Sequence, residues 1–261
     1  MQDLNSLQSS DSSDEGAQAW AIPFADMMTL LLTLFILLLV ILKESEKFVD
    51  RQINLLLQET YEQLEDQIKN ENVSIERVTK GIQITLRGNL FQSMKANVNK
   101  NYIPIIQEIS KIIEGCRLFN VEDSKQYSSL INFLEEANQE LNVEIRCEGH
   151  TDDAILPPQS DYRNNWELSS ARSLRVVNIM NGASSVSEKY FSYNGYGEFR
   201  PLINVSGIDD FEKKKQARAY NRRVEIYLDA FARPRMRSSE DEFLKMINDK
   251  FKKEENIQPQ N

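Results

Sequence analysis

The sequence predicts an α/β protein: a single N-terminal transmembrane helix, a helical connector, and an α/β sandwich whose mixed sheet carries helices on one face. Three observations predict it: an unbroken apolar run, a charged segment with helical periodicity, and short β-rich segments alternating with amphipathic ones. The 261 residues divide into a tail (1–19), a span (20–42), a connector (43–72), an α/β domain (73–232) and a charged C-terminal tail (233–261).

The apolar run at residues 20–42 has the length of a membrane span. At ~1.5 Å per residue a helix of this length covers about 35 Å, enough to cross a hydrocarbon core of about 30 Å. A cleaved signal peptide would start with basic residues and end at a small-residue cleavage site. Residues 1–19 contain no Lys or Arg, and the run ends in Ile41, Leu42 and Lys43. We therefore expect a retained helix.

Asp26 interrupts this run about 9 Å past Trp20. An acid at mid-span costs roughly 2.5–3.5 kcal/mol on insertion scales, so such residues are usually functional. Thr29 and Thr33 follow at i+3 and i+7 on the same helix face. A polar stripe must face protein or water, which predicts partner helices and an ion site at Asp26, Thr29 and Thr33 for H⁺ or Na⁺.

Other interpretations of this stripe stay open. Asp26 could lie shallow enough to reach the headgroups, or it could remain protonated. The hydroxyls of Thr29 and Thr33 could contribute oxygens to a sodium site or satisfy the helix backbone.

The charge pattern around the span conflicts with the expected topology. Four acids and no bases precede it, whereas Lys43, Lys47 and Arg51 follow it. The positive-inside rule would place the C-terminal side in the cytoplasm. The motifs of the C-terminal domain, described below, argue for the opposite, and we follow them.

The connector carries two apolar stripes. Val49, Ile53 and Leu56 form the first. The second has the heptad rhythm of a coiled coil and consists of Leu57, Tyr61, Leu64 and Ile68. The pattern fits either a parallel coiled-coil homodimer or a surface helix that packs on its own domain.

The C-terminal domain alternates strands and helices. We expect strands at 73–78, 81–87, 142–152, 189–197 and 222–228, and helices at 102–114, 127–141 and 166–180. The tail shows a short helical pattern over residues 243–251.

Composition narrows the function. The net charge of −9, without a basic block, argues against nucleic acid as a partner. Cys116 and Cys147 match no zinc spacing, and they are either two small buried side chains or, in an oxidising compartment, a pair. The lone histidine, His150, makes neither a metal site nor a triad, so structural support is the better interpretation. With no nucleophile motif or metal cluster, we expect no enzyme and no cofactor.

Four motifs of the domain occur in a family's order: GHTD (149–152), NNWELSSAR (164–172), GYGEFRP (195–201) and NRRVEIYL (221–228). Together they resemble the OmpA-like peptidoglycan-binding domain. The resemblance implies that Asp152 and Arg172 hold the diaminopimelate of the wall peptide. The chemistry agrees, since Asp152 can take the ammonium group and Arg172 can bind the carboxylate with two hydrogen bonds. Thr151 and Asn165 are expected side contacts, and Arg222 either supports the site or contacts ligand.

The span also resembles a known family. WAIPFADMMTLLLTLF is similar to the WxxxYADxMTxxxxFF segment of MotB-like stator subunits, with Phe24 in place of the usual Tyr and Asp26 at the ion-binding aspartate. The resemblance implies an inner-membrane protein with a cytoplasmic N-terminus and a periplasmic domain. It also implies a homodimer within a ring of five multi-span MotA-like partners, turned by ion flow.

The branch of this family is less sharply defined. The acidic N-terminal tail and a connector of about 30 residues look more like ZorB, which works with ZorA in Zorya anti-phage systems, than like flagellar MotB. A passive peptidoglycan-binding membrane anchor is a further alternative, since it would need the wall site but not Asp26.

Overall fold

The computed structural model describes residues 11–79, 81–92, 94–121 and 124–235. The chain divides into two compact units, with the boundary after Arg51. The first helix, α1 (Asp11–Gln67), joins the predicted span and most of the connector. Residues 11–19 of the predicted cytoplasmic tail also lie in this helix. The rest of the N-terminal tail and the predicted helix at 243–251 lie outside the described residues.

The N-terminal unit contains the apolar part of α1. Within this helix, the stretch Trp20–Gln67 contains a window of 18 residues with a mean hydropathy of 2.6, so the helix is long and apolar enough to cross a membrane by length and composition. The side chains of residues 20–44 are all exposed. Exposed side chains of Leu, Ile and Phe in such number need lipid or partner helices around them.

The C-terminal unit is built on a five-stranded mixed sheet with strand order β1-β2-β5-β3-β4. Its strands are β1 (Val73–Val78), β2 (Gly81–Leu86), β3 (Gln139–His150), β4 (Phe191–Gly195) and β5 (Arg223–Pro234). Its helices are α2 (Ile103–Gly115), α3 (Ser128–Glu136), α4 (Asn165–Asn181) and α5 (Phe211–Asn221). Only β3 and β4 pair in parallel, joined by the crossover helix α4.

Strand register separates an apolar face from a polar face. Ile84, Ile226 and Cys147 lie side by side across the three central strands, and all three side chains are fully buried. The next residues along the strands, such as Glu225 and its partner Glu148, point to the opposite face because side chains alternate along a strand. The apolar face forms the core with the helices, which confirms the predicted fold class.

The C-terminal turns of α1 pack on their own domain. Ile53, Leu56, Leu57 and Leu64 are at most 4% exposed. Glu59 also pairs with Arg117 at 2.8 Å. Both apolar stripes contribute to this packing, so the structure favours a surface helix over a coiled coil.

Three elements differ most from the predicted ones, and β3 also begins three residues earlier and ends two residues earlier than predicted. Helix α3 ends at Glu136 and not at residue 141, because Asn138 adopts a left-handed conformation (φ 53°) and Gln139 already pairs with Pro234. Strand β5 continues six residues beyond the predicted end at Leu228, and so crosses the predicted domain boundary at 232. Helix α5 was not predicted, because only Ala217 and Asn221 are buried and no apolar period marks it.

The two cysteines are free and buried. Burial raises the pKa of the Cys116 thiol to about 11 and that of Cys147 to about 12. Of the two interpretations, the structure favours two small buried side chains.

Candidate functional site

The ends of three strands create the site. Because β3 and β4 are parallel, their C-terminal ends meet at the same edge of the sheet, where the antiparallel β5 begins. The N–H of Tyr196 donates to the carbonyl of Gly149, and the N–H of Thr151 donates to the carbonyl of Gly197, both at 2.9 Å. These bonds tie the loops after β3 and β4 together.

Helix α4 crosses this edge in close contact with the strands. A Cβ on Gly149 would lie 2.1 Å from the carbonyl oxygen of Ser169, and a Cβ on Gly195 would lie 2.3 Å from the backbone nitrogen of Ser170. Both distances are impossible for a side-chain carbon, so only glycine allows the helix to approach here. This approach brings Asn165 and Arg172, which are seven residues apart on one face of α4, to the ends of the strands.

All five residues predicted from sequence for wall binding line one cavity of about 340 Å³. They are Thr151, Asp152, Asn165, Arg172 and Arg222. The remaining lining is Gly88, Asn89, Phe91, Gln92, Met94, Ala154, Ile155, Leu156, Leu168 and Lys215. The structure thus brings together residues that are up to 71 positions apart in the chain.

Asp152 already has a cationic partner. Its Oδ2 accepts a hydrogen bond from Nη1 of Arg222 at 2.7 Å, and its Oδ1 accepts one from the N–H of Ala154 at 3.3 Å. Next to it, Asp153 forms a two-pronged ion pair with Arg218 of α5, at 2.6 and 2.9 Å. This hydrogen bonding with Arg218 holds the pKa of the Asp153 carboxyl below its ordinary value. Asp153 therefore fixes α5 to the loop, and Asp152 is left facing the cavity.

Arg172 is a buried cation, only 3% exposed. Its Nε donates to the carbonyl oxygen of Lys95 at 3.1 Å, and its guanidinium lies 4.8 Å above the ring of Phe91. No carboxylate within the described residues forms an ion pair with it. Burial lowers the pKa of Arg172 to about 10, with Asp152 opposing the shift and Arg222 adding to it. A ligand carboxylate would supply the missing anion.

Thr151 and Asn165 have different roles in the site. The Asn165 side chain donates to the backbone carbonyl of Ala154 at 3.1 Å, so it shapes the loop that presents Asp152. The hydroxyl of Thr151 is buried and has no hydrogen-bond partner among the described residues. It is therefore the free polar group of the two.

Sequence reasoning missed one wall of the cavity, the segment between β2 and α2. Phe91 and Met94 line the cavity from this segment, and Met94 has a left-handed backbone (φ 57°). The signal was weak, because neither residue belongs to a motif. Lys215 of the unpredicted α5 was missed for the same reason.

The polar face of the sheet holds a buried charge network beside the site. Ligand atoms of Glu148, His150 and Glu225 lie within 4.8 Å of one another, which is compact enough for a metal site. Each carboxylate, however, already binds an arginine: Arg146 lies 2.9 Å from Glu148, and Arg223 lies 2.5 Å from Glu225. A divalent cation would have to compete with both guanidinium groups for these carboxylates.

His150 belongs to this network as a structural residue. It is 1% exposed, its ring stacks on Tyr196 at 5.5 Å, and its Nε2 lies 3.5 Å from Oε2 of Glu225. By stacking on Tyr196, His150 supports the loop after β4.

In the span, the structure places the predicted ion-site residues on one helix face. The Thr29 hydroxyl donates to the carbonyl of Asp26 at 2.8 Å, and the Thr33 hydroxyl donates to that of Leu30 at 2.9 Å. Both hydroxyls satisfy the helix backbone, as one of the two interpretations expected. Their oxygens keep lone pairs that a cation could use.

Known proteins are similar both to the apolar helix and to the C-terminal domain of this chain. Residues 7–54 match the family described as the membrane MotB of the proton-channel complex MotA/MotB, and residues 117–215 match the OmpA family. The chain is 27% identical over 177 residues to motility protein B of Bacillus subtilis, covering 66% of this chain and 56% of that protein. It is 22% identical over 250 residues to motility protein B of Helicobacter pylori, covering 80% of this chain and 85% of that protein.

A solved periplasmic domain of H. pylori MotB is similar to 70% of this chain and 91% of its own, at 22% identity and a TM-score of 0.46.

The chain belongs to the proteins that combine an apolar N-terminal helix, long enough to cross a membrane, with a domain that matches the OmpA family. Among such proteins, this chain is MotB-like.

Proposed function

We propose that the chain is the stator subunit of an ion-driven rotary motor in the inner membrane, held to peptidoglycan by its periplasmic domain. The observation that carries the anchoring half is the cavity that unites Asp152 and Arg172 with Thr151, Asn165 and Arg222. A carboxylate and an uncompensated buried guanidinium in one cavity suit the zwitterionic end of diaminopimelate.

Asp26 carries the motor half of the proposal. An acid within a span can bind and release H⁺ or Na⁺, and its charge changes with occupancy. The match to the membrane segment of MotB includes Asp26 and the Thr29–Thr33 stripe. The exposed apolar side chains of the span are the surface on which a MotA-like ring of five would pack around two copies of this chain. Ion passage at Asp26 would turn that ring while the wall holds the domain still.

Binding to isolated wall sacculi tests the anchor. We expect the native full chain to sediment with sacculi and Asp152→Ala to lose most of this binding. Asp161→Ala is the matched control, because Asp161 is an exposed aspartate that does not line the cavity. If Asp152→Ala binds as well as the native chain, the anchor proposal fails.

Asp26→Asn tests the motor. The variant should insert in the membrane and bind sacculi normally, yet abolish biological activity beside the MotA-like partner. Full activity of Asp26→Asn would instead support a passive wall anchor.

Within this function we favour a ZorB-like role in anti-phage defence over a flagellar one. The acidic N-terminal tail and the short connector support this choice. The neighbouring genes distinguish the two roles: a helicase and nuclease pair fits anti-phage defence, and chemotaxis genes fit a flagellum. Protection against phage, with unchanged swimming, is the expected phenotype of the intact gene cluster.

A further inference from the structure

The cavity carries more positive than negative charge. Arg172, Arg222 and Lys215 line it, and Asp152 is the single acid in its described lining. A zwitterionic ligand end brings one ammonium and one carboxylate, so it leaves this excess of positive charge unchanged. If the domain binds the wall as proposed, another part of the ligand must supply the negative charge that balances this excess.

On ligand binding, Asp152 would face two cations, Arg222 and the ammonium group of the ligand. Arg222 holds its Oδ2 at 2.7 Å in the free protein. The charge of Arg222 is also felt at Arg172, where it helps to lower the pKa. When a ligand ammonium binds Asp152, Arg222 must share the carboxylate or leave it. The ligand carboxylate meanwhile compensates Arg172, so Arg222 is left without a full counter-charge.

Helix α5 places a second cation beside Arg222. Lys215 and Arg222 are seven positions apart, so they lie on the same side of the helix and its C-terminal end. Both side chains line the cavity and remain accessible, at 68% and 37% exposure. Lys215 also forms an exposed ion pair with Glu212 of the same helix at 3.9 Å, which competes only weakly with a ligand carboxylate. A second carboxylate on the ligand would lie between two cations there.

We propose that Arg222 and Lys215 form a second anion subsite, which binds a further free carboxylate of the peptidoglycan stem peptide. The site would thereby distinguish stems whose carboxylates are free from stems in which they are amidated. Two carboxylates of the stem have the required chemistry: that of the γ-linked D-glutamate and the one at the C-terminal end of the diaminopimelate residue. An amide has the same shape as a carboxylate but no charge, so the subsite distinguishes the two groups by their charge.

Three synthetic tripeptides test the proposal on the detergent-solubilised full chain. They are L-Ala-γ-D-Glu-meso-diaminopimelate, its amide at D-glutamate, and its amide at the C-terminal carboxyl. We expect the free acid to bind roughly three- to tenfold more tightly than one of the monoamides, as fits one part-exposed charge-assisted contact. Because both cations are exposed, the preference should shrink as salt is raised.

Two variants and a control assign the preference to these residues. Arg222→Gln and Lys215→Gln should each reduce the gap by weakening the free acid, with affinity for the monoamide unchanged or higher. Arg222→Gln frees Asp152 for the ligand ammonium, whereas a folding defect would weaken both peptides alike. Lys213→Gln should keep the full preference, since Lys213 is exposed on α5 away from the cavity.

The outcomes separate this inference from the anchor itself. If the free acid and both monoamides bind equally to the native chain, the second subsite is wrong and wall binding stands. If only one monoamide is weakened, the carboxylate that was amidated is the occupant. If no tripeptide binds although sacculi do, recognition of a free stem carboxylate is overturned. If sacculi do not bind either, the anchor proposal falls and the subsite with it.

Discussion

Arg172 shows how a single residue of the site can favour binding over stability. Burying a guanidinium without a carboxylate is unfavourable, and burial lowers its pKa to about 10. The hydrogen bond to the carbonyl of Lys95 and the ring of Phe91 offset only part of this cost. The unfavourable term disappears when a ligand carboxylate arrives, so it favours the bound state.

Arg172→Met should therefore separate binding from stability. Methionine fills similar space without a charge, so the free energy of unfolding should stay within about 1 kcal/mol of the native value or rise. Binding to sacculi should be lost. Urea unfolding of a fragment spanning residues 52–235 and co-sedimentation of the full chain measure the two effects. A large loss of stability would mean that Arg172 is mainly a structural residue.

We expect Glu225 to make the stability of the domain sensitive to acid. Burial acts to raise its pKa, but the neighbouring His150 and Arg223 side chains outweigh burial and hold the pKa at about 2, below the ordinary 4.5. A depressed carboxyl pKa stabilises the fold fully above pH 4.5, and this contribution is lost as the pH falls toward 2. The shift corresponds to about 3 kcal/mol.

The free energy of unfolding of the 52–235 fragment should accordingly fall between about pH 4.5 and 2. Glu225→Gln should lower stability at pH 7 and flatten this acid-dependent decline. Glu136→Gln, at an exposed position of α3, should retain the native profile. An unchanged decline in Glu225→Gln would show that another group is responsible.

At the level of elements, the C-terminal turns of α1 belong to the domain. Leu57 is 1% exposed, whereas its neighbour Leu55 is 50% exposed. Leu57→Ala should lower the free energy of unfolding of the 52–235 fragment by about 2–5 kcal/mol, the usual range for a buried leucine. Leu55→Ala should change it by less than about 0.5 kcal/mol. Equal effects would mean that the helix is not docked in solution.

Elements with a strong periodic signal could be predicted from the sequence. Strands β1 and β2 begin at the predicted residues, and α2 and α4 begin and end within one residue of theirs. Helix α5 could not be found by apolar period, because it is fixed to the domain by polar contacts such as Arg218 with Asp153. Its N-cap, Asp210, which accepts from the N–H of Lys213, was the available signal.

The site shows the same division. Asp152 and Arg172 belong to recognisable motifs, so they could be predicted as a pair from the sequence. The pairing of Asp152 with Arg222 depends on the register of β3 and β5, which places Arg223 opposite His150. Phe91 reaches Arg172 from a segment 81 residues earlier in the chain, and no local pattern encodes such a contact. Local sequence likewise does not determine whether the second apolar stripe of α1 packs on its own domain or on another chain, because that depends on the tertiary structure.

The whole molecule combines an ion-site candidate in one unit with a ligand cavity in the other. The proposed motor needs both at once, because force on the ring requires a fixed point. If two copies of the chain share one assembly, each assembly holds two Asp26 residues, and losing either should stop it. The number of copies can then be read from mixing experiments, without a structure of the complex.

Co-expression of native and Asp26→Asn chains at varied ratios makes this test quantitative. With two copies per assembly, random pairing leaves native pairs in proportion to the square of the native fraction, so about a quarter of the assemblies stay active at equal expression. One copy per assembly would give a linear decline and leave about half. Asp50→Asn, an exposed change on α1 outside the apolar run, should cause no decline at any ratio. A linear decline with Asp26→Asn would contradict the dimer, and no decline at all would contradict a role for Asp26 in the motor.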